Sequence, residues 1–130
     1  MNMKKILILF LLLVPLFTNA QTWYRAIATS SQQGNEQPGD FEDCDMSVFR
    51  KDHIVKLFAE HGSFIFRSVD GGFKTEIDND GNVSQSSKCV DESGDYCELT
   101  FMYDKSNPFI LLLIQHKDST VCFIIVTDDV

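Results

Sequence analysis

The sequence is poor in basic residues and contains none of the short motifs that mark common enzyme classes. Its 11 lysines and arginines stand against 19 aspartates and glutamates, so the formal net charge is −8 at pH 7. An acidic chain repels phosphate backbones, which argues against nucleic-acid binding through a basic surface. There is no Gly-x-Ser-x-Gly elbow, glycine-rich phosphate loop or His-Glu-x-x-His pattern. We therefore predict no catalytic residues and no cofactor, and a small extracytoplasmic hydrolase is the least favoured function.

Zinc-binding motifs are also absent. Structural zinc sites take cysteines two to four residues apart together with a second pair of ligands, whereas seven residues separate Cys89 from Cys97. The histidines are isolated along the chain: His53, His61 and His116. We predict that the acid-rich stretch between the two cysteines is the tip of a β-hairpin, with a type I turn over residues 91–94 and Gly94 in the left-handed backbone region.

The stretch EIDNDGNV, residues 76–83, resembles the beginning of a calcium-binding loop. An EF-hand requires a bidentate acid at its twelfth position, and the twelfth residue counted from Glu76 is Ser87. Aspartate and glycine between two apolar runs are strong signals for a tight hairpin turn. We therefore predict that Asp78, Asp80 and Gly81 build a turn and that the chain has no metal site.

Long hydrophobic runs are missing except at the N-terminus. Residues 1–20 contain Lys4 and Lys5, an apolar run over residues 6–17, and small residues before a cleavage point after Ala20. This is the pattern of a secretory signal peptide. The run is shorter than the roughly 20 apolar residues that a membrane-spanning helix needs. We predict a secreted or periplasmic protein with no membrane anchor in its mature form.

Residues 21–130 are predicted to form a single β domain stabilised by disulfides. Loss of Lys4 and Lys5 with the signal peptide changes the net charge from −8 to −10. A chain of about this length lies near the small end of what folds around one core without cross-links. An even number of cysteines in an exported protein predicts two disulfides, and all four lie in this region: Cys44, Cys89, Cys97 and Cys122.

Three disulfide pairings are possible, and the hairpin turn helps to choose between them. A three-residue loop places Cys89 opposite Cys97 at a hydrogen-bonded position, where the Cβ spacing suits a disulfide poorly. Bridges that close longer loops restrict the unfolded chain more strongly. We therefore predict Cys44 bonded to Cys97, and Cys89 bonded to Cys122.

The apolar residues after residue 20 occur in short runs rich in Phe, Ile and Val, separated by Gly, Asp, Asn and Ser, as in strands joined by turns. The predicted strands are 23–29, 46–49, 54–59, 63–69, 73–77, 83–90, 95–103, 109–115 and 120–127, with a polar loop over 30–40 and a turn at 50–52. Residues 47–59 also fit a short helix, although Val, Ile and Phe favour a strand. The predicted fold is all-β: an antiparallel meander of about eight short strands, forming a small barrel or sandwich.

Two of the predicted strands are apolar on both faces, namely FILLLI at residues 109–114 and CFIIV at residues 122–126. Either both faces are covered, or one face is an exposed contact surface. The chain also has eleven Phe, three Tyr and one Trp, which either fill the core or line a cavity for an apolar ligand. The leading functional hypothesis is a binding or protein-interaction module, and the alternative is a small β-barrel that binds a hydrophobic ligand.

Several landmarks occur together in a fixed order: Trp23-Tyr24-Arg25 after the cleavage point, Cys44-Asp45 before an apolar strand, the hairpin at residues 90–94, and Asp118 before the last strand. This arrangement resembles a family of small, uncharacterised exported bacterial β-proteins. The chain departs from that pattern at residues 98–100, where a basic Ile-Arg-Leu is usual, and at Cys122, where an aromatic residue is common. The resemblance implies a β fold and export, and it transfers no site residue.

Overall fold

The computed structural model describes residues 21–34 and 36–127, so the predicted signal peptide lies outside the described residues. These residues form no helix, and none of them builds a helical segment able to cross a membrane. They form nine strands: β1 (Thr22–Gln33), β2 (Glu42–Lys51), β3 (Ile54–Ala59), β4 (Gly62–Ser68), β5 (Lys74–Ile77), β6 (Val83–Val90), β7 (Tyr96–Tyr103), β8 (Ile110–Gln115) and β9 (Ser119–Thr127).

Eight of the strands close into a small antiparallel β-barrel. Each strand pairs with its neighbour in sequence from β1 to β4 and from β5 to β9, β9 returns to β1, and a short pairing of β4 with β6 completes the ring. Strand β5 pairs with β6 alone and stands beside the closed barrel. The prediction of an all-β antiparallel meander is therefore confirmed, with the barrel as the form adopted.

The first hairpin is longer than the sequence indicated. Strand β1 continues to Gln33 and β2 begins at Glu42, so part of the predicted polar loop is strand. Residues 29–33 are polar, and they form this part of β1 by pairing with residues 119–123 of β9. The register of β1 shifts between Ala26 and Ala28 against both β2 and β9. The alternative of a helix over residues 47–59 is wrong, because β2 and β3 pair across this region.

The barrel interior is filled by buried side chains that come from all eight barrel strands. The largest fully buried ones are Phe101, Leu99 and Leu112, and the last two core residues of the chain are Phe123 and Ile125. An eight-stranded barrel has an interior just wide enough for side chains to fill it or to hold one small ligand. Here the side chains occupy it.

The barrel closes where β4 meets β6, and this seam is short. Ladder pairing covers only Arg67 and Ser68 of β4, and the amide of Val69 adds one bond to the carbonyl of Lys88. The chain then leaves β6 for residues 70–73 and returns to it as β5. Strands β4 and β5 therefore run in the same direction along β6, one after the other.

The carboxylate of Asp70 ties this seam together. It accepts hydrogen bonds from the Ser87 hydroxyl at 2.7 Å, the Lys88 amide at 3.2 Å and the Ser68 hydroxyl at 3.3 Å. The Ser68 hydroxyl also accepts a bond from the Gly72 amide at 3.0 Å. These bonds, led by that from Ser87, lower the pKa of Asp70 from its ordinary value. Side-chain bonds thus supplement a ladder that is too short to seal the barrel by itself.

Two hairpin turns share one design. In the β5–β6 turn, Asp78 accepts bonds from the amides two and four residues later, and Gly81 has φ +84°. In the β6–β7 turn, Asp91 accepts the same two bonds, and Gly94 has φ +85°. Both predicted turns are confirmed, because aspartate caps the turn and glycine supplies the left-handed residue.

The predicted disulfides are wrong, since all four cysteines are free thiols. Cys89 lies inside the barrel on β6, whereas Cys122 lies on the outer face of β9, three strands away. Three strand spacings amount to about 14 Å, and a disulfide needs Cα atoms within about 7 Å. Cys44 on β2 and Cys97 on β7 lie on opposite walls of the barrel. Cys89 faces Cys97, as the predicted register requires, without a bond between them.

Candidate functional site

The outer face of β8 and β9 is apolar, and no other described strand packs over it. Inward-facing residues such as Leu112 and Ile125 are completely buried, but their outward neighbours are only half-buried. The outward set comprises Leu111, Leu113, Cys122, Ile124 and Val126. Of the two interpretations left open by the sequence, full burial of both faces is therefore not what the structure shows, because the outward residues keep part of their surface exposed.

A depression, here called the outer groove, lies at one end of this face and has a volume of about 410 Å³. Its floor follows one cross-strand row through Ser84, Met102, Leu111 and Ile124 on four adjacent strands. Its walls come from two connections at the same end of the barrel, the β5–β6 turn and the β7–β8 loop: Ile77, Asp78, Asn82, Asp104, Asn107 and Phe109. The groove combines an apolar floor with polar, acidic walls.

The row arises from strand alternation. Successive side chains of a strand point to opposite faces, so Met102 points outward because Phe101 and Tyr103 point inward. Met102 keeps 43% of its surface exposed, and Phe109 keeps 42%. Large apolar side chains with this exposure stay in contact with water unless a ligand covers them.

The groove has negative charge at its edges. Glu76, Asp78 and Asp104 belong to its lining, and none of the lining residues, all within the described part of the chain, is basic. Bonds from the Ser106 hydroxyl and amide lower the pKa of Asp104, so it stays ionised at neutral pH. The side chain of Lys105 lies against Gly81 on the β5–β6 turn.

A second exposed apolar cluster lies on the outer face of β1 to β3. The rings of Trp23 and Phe49 have centroids 4.9 Å apart, and those of Trp23 and Phe58 stack at 6.0 Å. The aromatic residues of the chain are thus divided, with Tyr24, Phe101 and others in the core and this cluster outside. They neither all fill the core nor jointly line one cavity.

Arg50 is a charged residue that points toward the inside of the barrel, although the sequence predicted it to lie in a turn. It lies on β2, and its Nη1 donates to Gln85 Oε1 at 2.8 Å and to the Tyr103 hydroxyl at 3.5 Å. The guanidinium carbon lies 4.4 Å from the centroid of the Phe73 ring and 4.6 Å from that of Phe101. Two aromatic faces and two polar groups compensate the charge, so Arg50 is an integral part of the barrel end.

The cysteines have no catalytic features. Burial raises the pKa of the Cys97 thiol to about 12, with smaller contributions from Cys89 and Asp91. Burial also raises the pKa values of Cys44, Cys89 and Cys122. A nucleophilic cysteine needs a lowered pKa instead. Within the described residues, no group of three or more potential metal ligands is found.

Sequence reasoning assigned no binding residue to the groove, although it singled out β8 and β9. Alternation within residues 95–103 was a usable signal for Met102, because it lies between two inward-facing aromatics. The sequence did not show that Glu76 and Asp104 both line the groove, since these residues are 28 positions apart and come near each other only when the sheet forms. Comparisons with known proteins found no matching family model, curated protein or solved structure.

Proposed function

We propose that the protein is an exported binding module whose outer groove holds a polypeptide segment carrying an apolar side chain flanked by lysine or arginine. The single observation that carries this proposal is the outer groove itself, with an apolar floor and acidic walls. The export part rests on the signal-peptide pattern of residues 1–20.

The chemistry of the groove favours this class of partner. Met102, Leu111 and Ile124 offer apolar surface that gains from being removed from water. Carboxylates at the edges attract cationic groups and disfavour acidic ones, and edge charges of this kind act mainly on specificity and association rate. The net charge of the chain, −8, adds long-range attraction for a basic partner.

The alternative function, a barrel that binds a hydrophobic ligand inside, has less support. The barrel is present, but buried side chains from every barrel strand occupy its interior. Phe73 packs edge-on against Phe101 with ring centroids 5.6 Å apart, next to Arg50. A hydrophobic ligand would have to displace these side chains before it could enter.

The proposal is tested with a fluorescein-labelled tetrapeptide, Lys-Phe-Leu-Lys, titrated with the protein while fluorescence anisotropy is recorded. We expect saturable binding in the micromolar to millimolar range that weakens as salt is raised, because ions screen exposed charges. The charge-reversed peptide, Glu-Phe-Leu-Glu, should bind at least about tenfold more weakly. Equal binding of both peptides, or none of either, would contradict the proposed partner chemistry.

A matched pair of variants locates the binding. Met102→Gln removes apolar contact from the groove floor, whereas Val69→Gln introduces the same side chain at an apolar residue outside the groove with a similar exposure, 49% against 43%. We expect Met102→Gln to weaken the peptide about fivefold and Val69→Gln to leave it unchanged. Equal losses from both variants would place the binding elsewhere.

A further inference from the structure

Strand β5 has one edge whose backbone groups pair with no other described strand. Its four residues are all exposed, and Ile77 keeps 69% of its surface in contact with water. β6 occupies the other edge over its whole length. Unpaired strand edges are templates for pairing with another chain.

The ladder with β6 fixes which backbone groups point outward. The amide of Asp78 bonds to the carbonyl of Asn82, so this is a hydrogen-bonded pair. Such pairs alternate along an antiparallel ladder, and the observed register therefore directs the backbone groups of Lys74 and Glu76 toward β6. The amide and carbonyl groups of Thr75 and Ile77 point to the free edge.

The side chains have an equally defined arrangement. Thr75 lies on the inner face, where its hydroxyl accepts a bond from Gln85 Nε2 at 3.2 Å. Lys74 and Glu76 alternate with it and lie on the outer face, opposite Ser86 and Ser84. The edge thus presents a cation and an anion two residues apart on one face.

We propose that the free edge of β5 pairs with the same edge of a second copy of this chain, antiparallel and with the two-fold axis at Thr75. In this register the two Thr75 residues exchange both backbone hydrogen bonds. Lys74 of each copy then lies opposite Glu76 of the other at non-hydrogen-bonded positions, where side chains are closest. Two symmetric Lys–Glu pairs form across the interface.

Charge selects this register over its neighbours. Outward backbone groups occur only at alternate residues, so the two-fold axis must pass through a residue. The neighbouring registers are therefore those in which the axis moves from Thr75 to the next residue along β5. An axis at Lys74 places the two Lys74 side chains opposite each other, and an axis at Glu76 does the same for the two Glu76 side chains. An axis at Ile77 places Glu76 opposite Asp78. Like charges directly opposite across strands are destabilising, which leaves the register centred on Thr75. Glu76 also belongs to the lining of the outer groove, so the dimer is tested by self-association in the absence of any peptide.

A four-residue edge buries less area than the 1,200–2,000 Å² of standard interfaces, so the dimer is expected to be weak. Sedimentation equilibrium of the mature chain from about 10 μM to about 1 mM should show a monomer–dimer equilibrium. Glu76→Lys should weaken dimerisation at least about tenfold, because it places two lysines opposite each other. A monomer at every concentration would overturn the proposal.

The decisive control exchanges the two charges. The double variant Lys74→Glu with Glu76→Lys rebuilds both ion pairs in the same register and should restore dimerisation to within about threefold of the unaltered protein. Lys74 also lies near Asp70, so circular dichroism and melting of each variant confirm an intact barrel. A dimer that survives Glu76→Lys, or a double variant that stays as weak as Glu76→Lys, would show that β5 is not the interface.

Discussion

The two faces of β8 and β9 have nearly the same composition and very different environments. Leu112 and Ile125 point into the barrel and have no exposed surface, whereas Leu111 and Ile124 point outward and are only partly buried. The inner residues are explained by core packing alone. The outer residues are less completely removed from water by the fold, and the partner proposed above for the outer groove would cover part of their surface.

The largest expected difference between the faces is in stability. Leu112→Ala removes side-chain volume from a closely packed core and should lower the free energy of unfolding by about 2–5 kcal/mol. Leu111→Ala makes the same change on the outer face and should cost less than about 1.5 kcal/mol, since water or neighbouring side chains can fill the space. Urea denaturation of the two variants provides the measurement. Similar losses would mean that the outer face is packed like a core.

The next difference is in thiol reactivity. Cys122 is on the outer face and half-buried, whereas Cys89 and Cys97 face the interior and are buried. Under native conditions, iodoacetamide should modify Cys122 at least about tenfold faster than the other two, because those must first be exposed by local opening. Mass spectrometry of timed digests gives the rates. Failure of all four cysteines to react even after denaturation would instead indicate disulfides.

A smaller effect is expected on the pH dependence of stability, through Asp70 at the seam between β4 and β6. Hydrogen bonds from Ser87, Lys88 and Ser68 hold the pKa of Asp70 below its ordinary value of 3.8. A lowered folded-state pKa stabilises the fold fully above the unfolded pKa, and this contribution is lost as pH falls through the folded value. Asp70→Asn should therefore lower the melting temperature at pH 7, and the gap from the unaltered protein should narrow below about pH 4. A gap independent of pH would show that the carboxylate charge has no part in closure.

The smallest expected effect is that of calcium. The oxygen Oδ1 of Asp78 already accepts bonds from the amides of Asp80 and Asn82 within the turn. Millimolar calcium should therefore shift the melting temperature by less than about one degree, because a ligand that does not bind the native state cannot stabilise it. A rise of several degrees that Asp80→Ala abolishes would establish a metal site at the edge of the groove.

The strands and turns were predictable because their determinants are local. Aspartate and glycine fixed the turns at Asp78 and Asp91, and the loop length then fixed the register that sets Cys89 opposite Cys97. Alternation was informative wherever one face was polar. The strand order followed from the short connections, which favour pairing of neighbours along the chain.

The orientation of Cys122 and the inward position of Arg50 were not predictable, because they depend on contacts between residues that are far apart in the sequence. Cys122 belongs to a run that is apolar on both faces, so alternation gave no sign that it points outward. Arg50 resembled a turn residue, and only the distant rings of Phe73 and Phe101 make its inward position tolerable. The acidic walls of the groove likewise depend on segments that meet only after barrel closure.

The most direct test of the account follows the methyl groups of both faces by ¹³C NMR during titration with the Lys-Phe-Leu-Lys peptide. Outer methyls of Leu111, Met102 and Ile124 should shift progressively with a common dissociation constant, while those of Leu112 and Ile125 stay within the experimental error. That pattern would assign binding to the outer groove and structure to the inner face. Shifts confined to the inner methyls, or absent from both sets, would contradict the account.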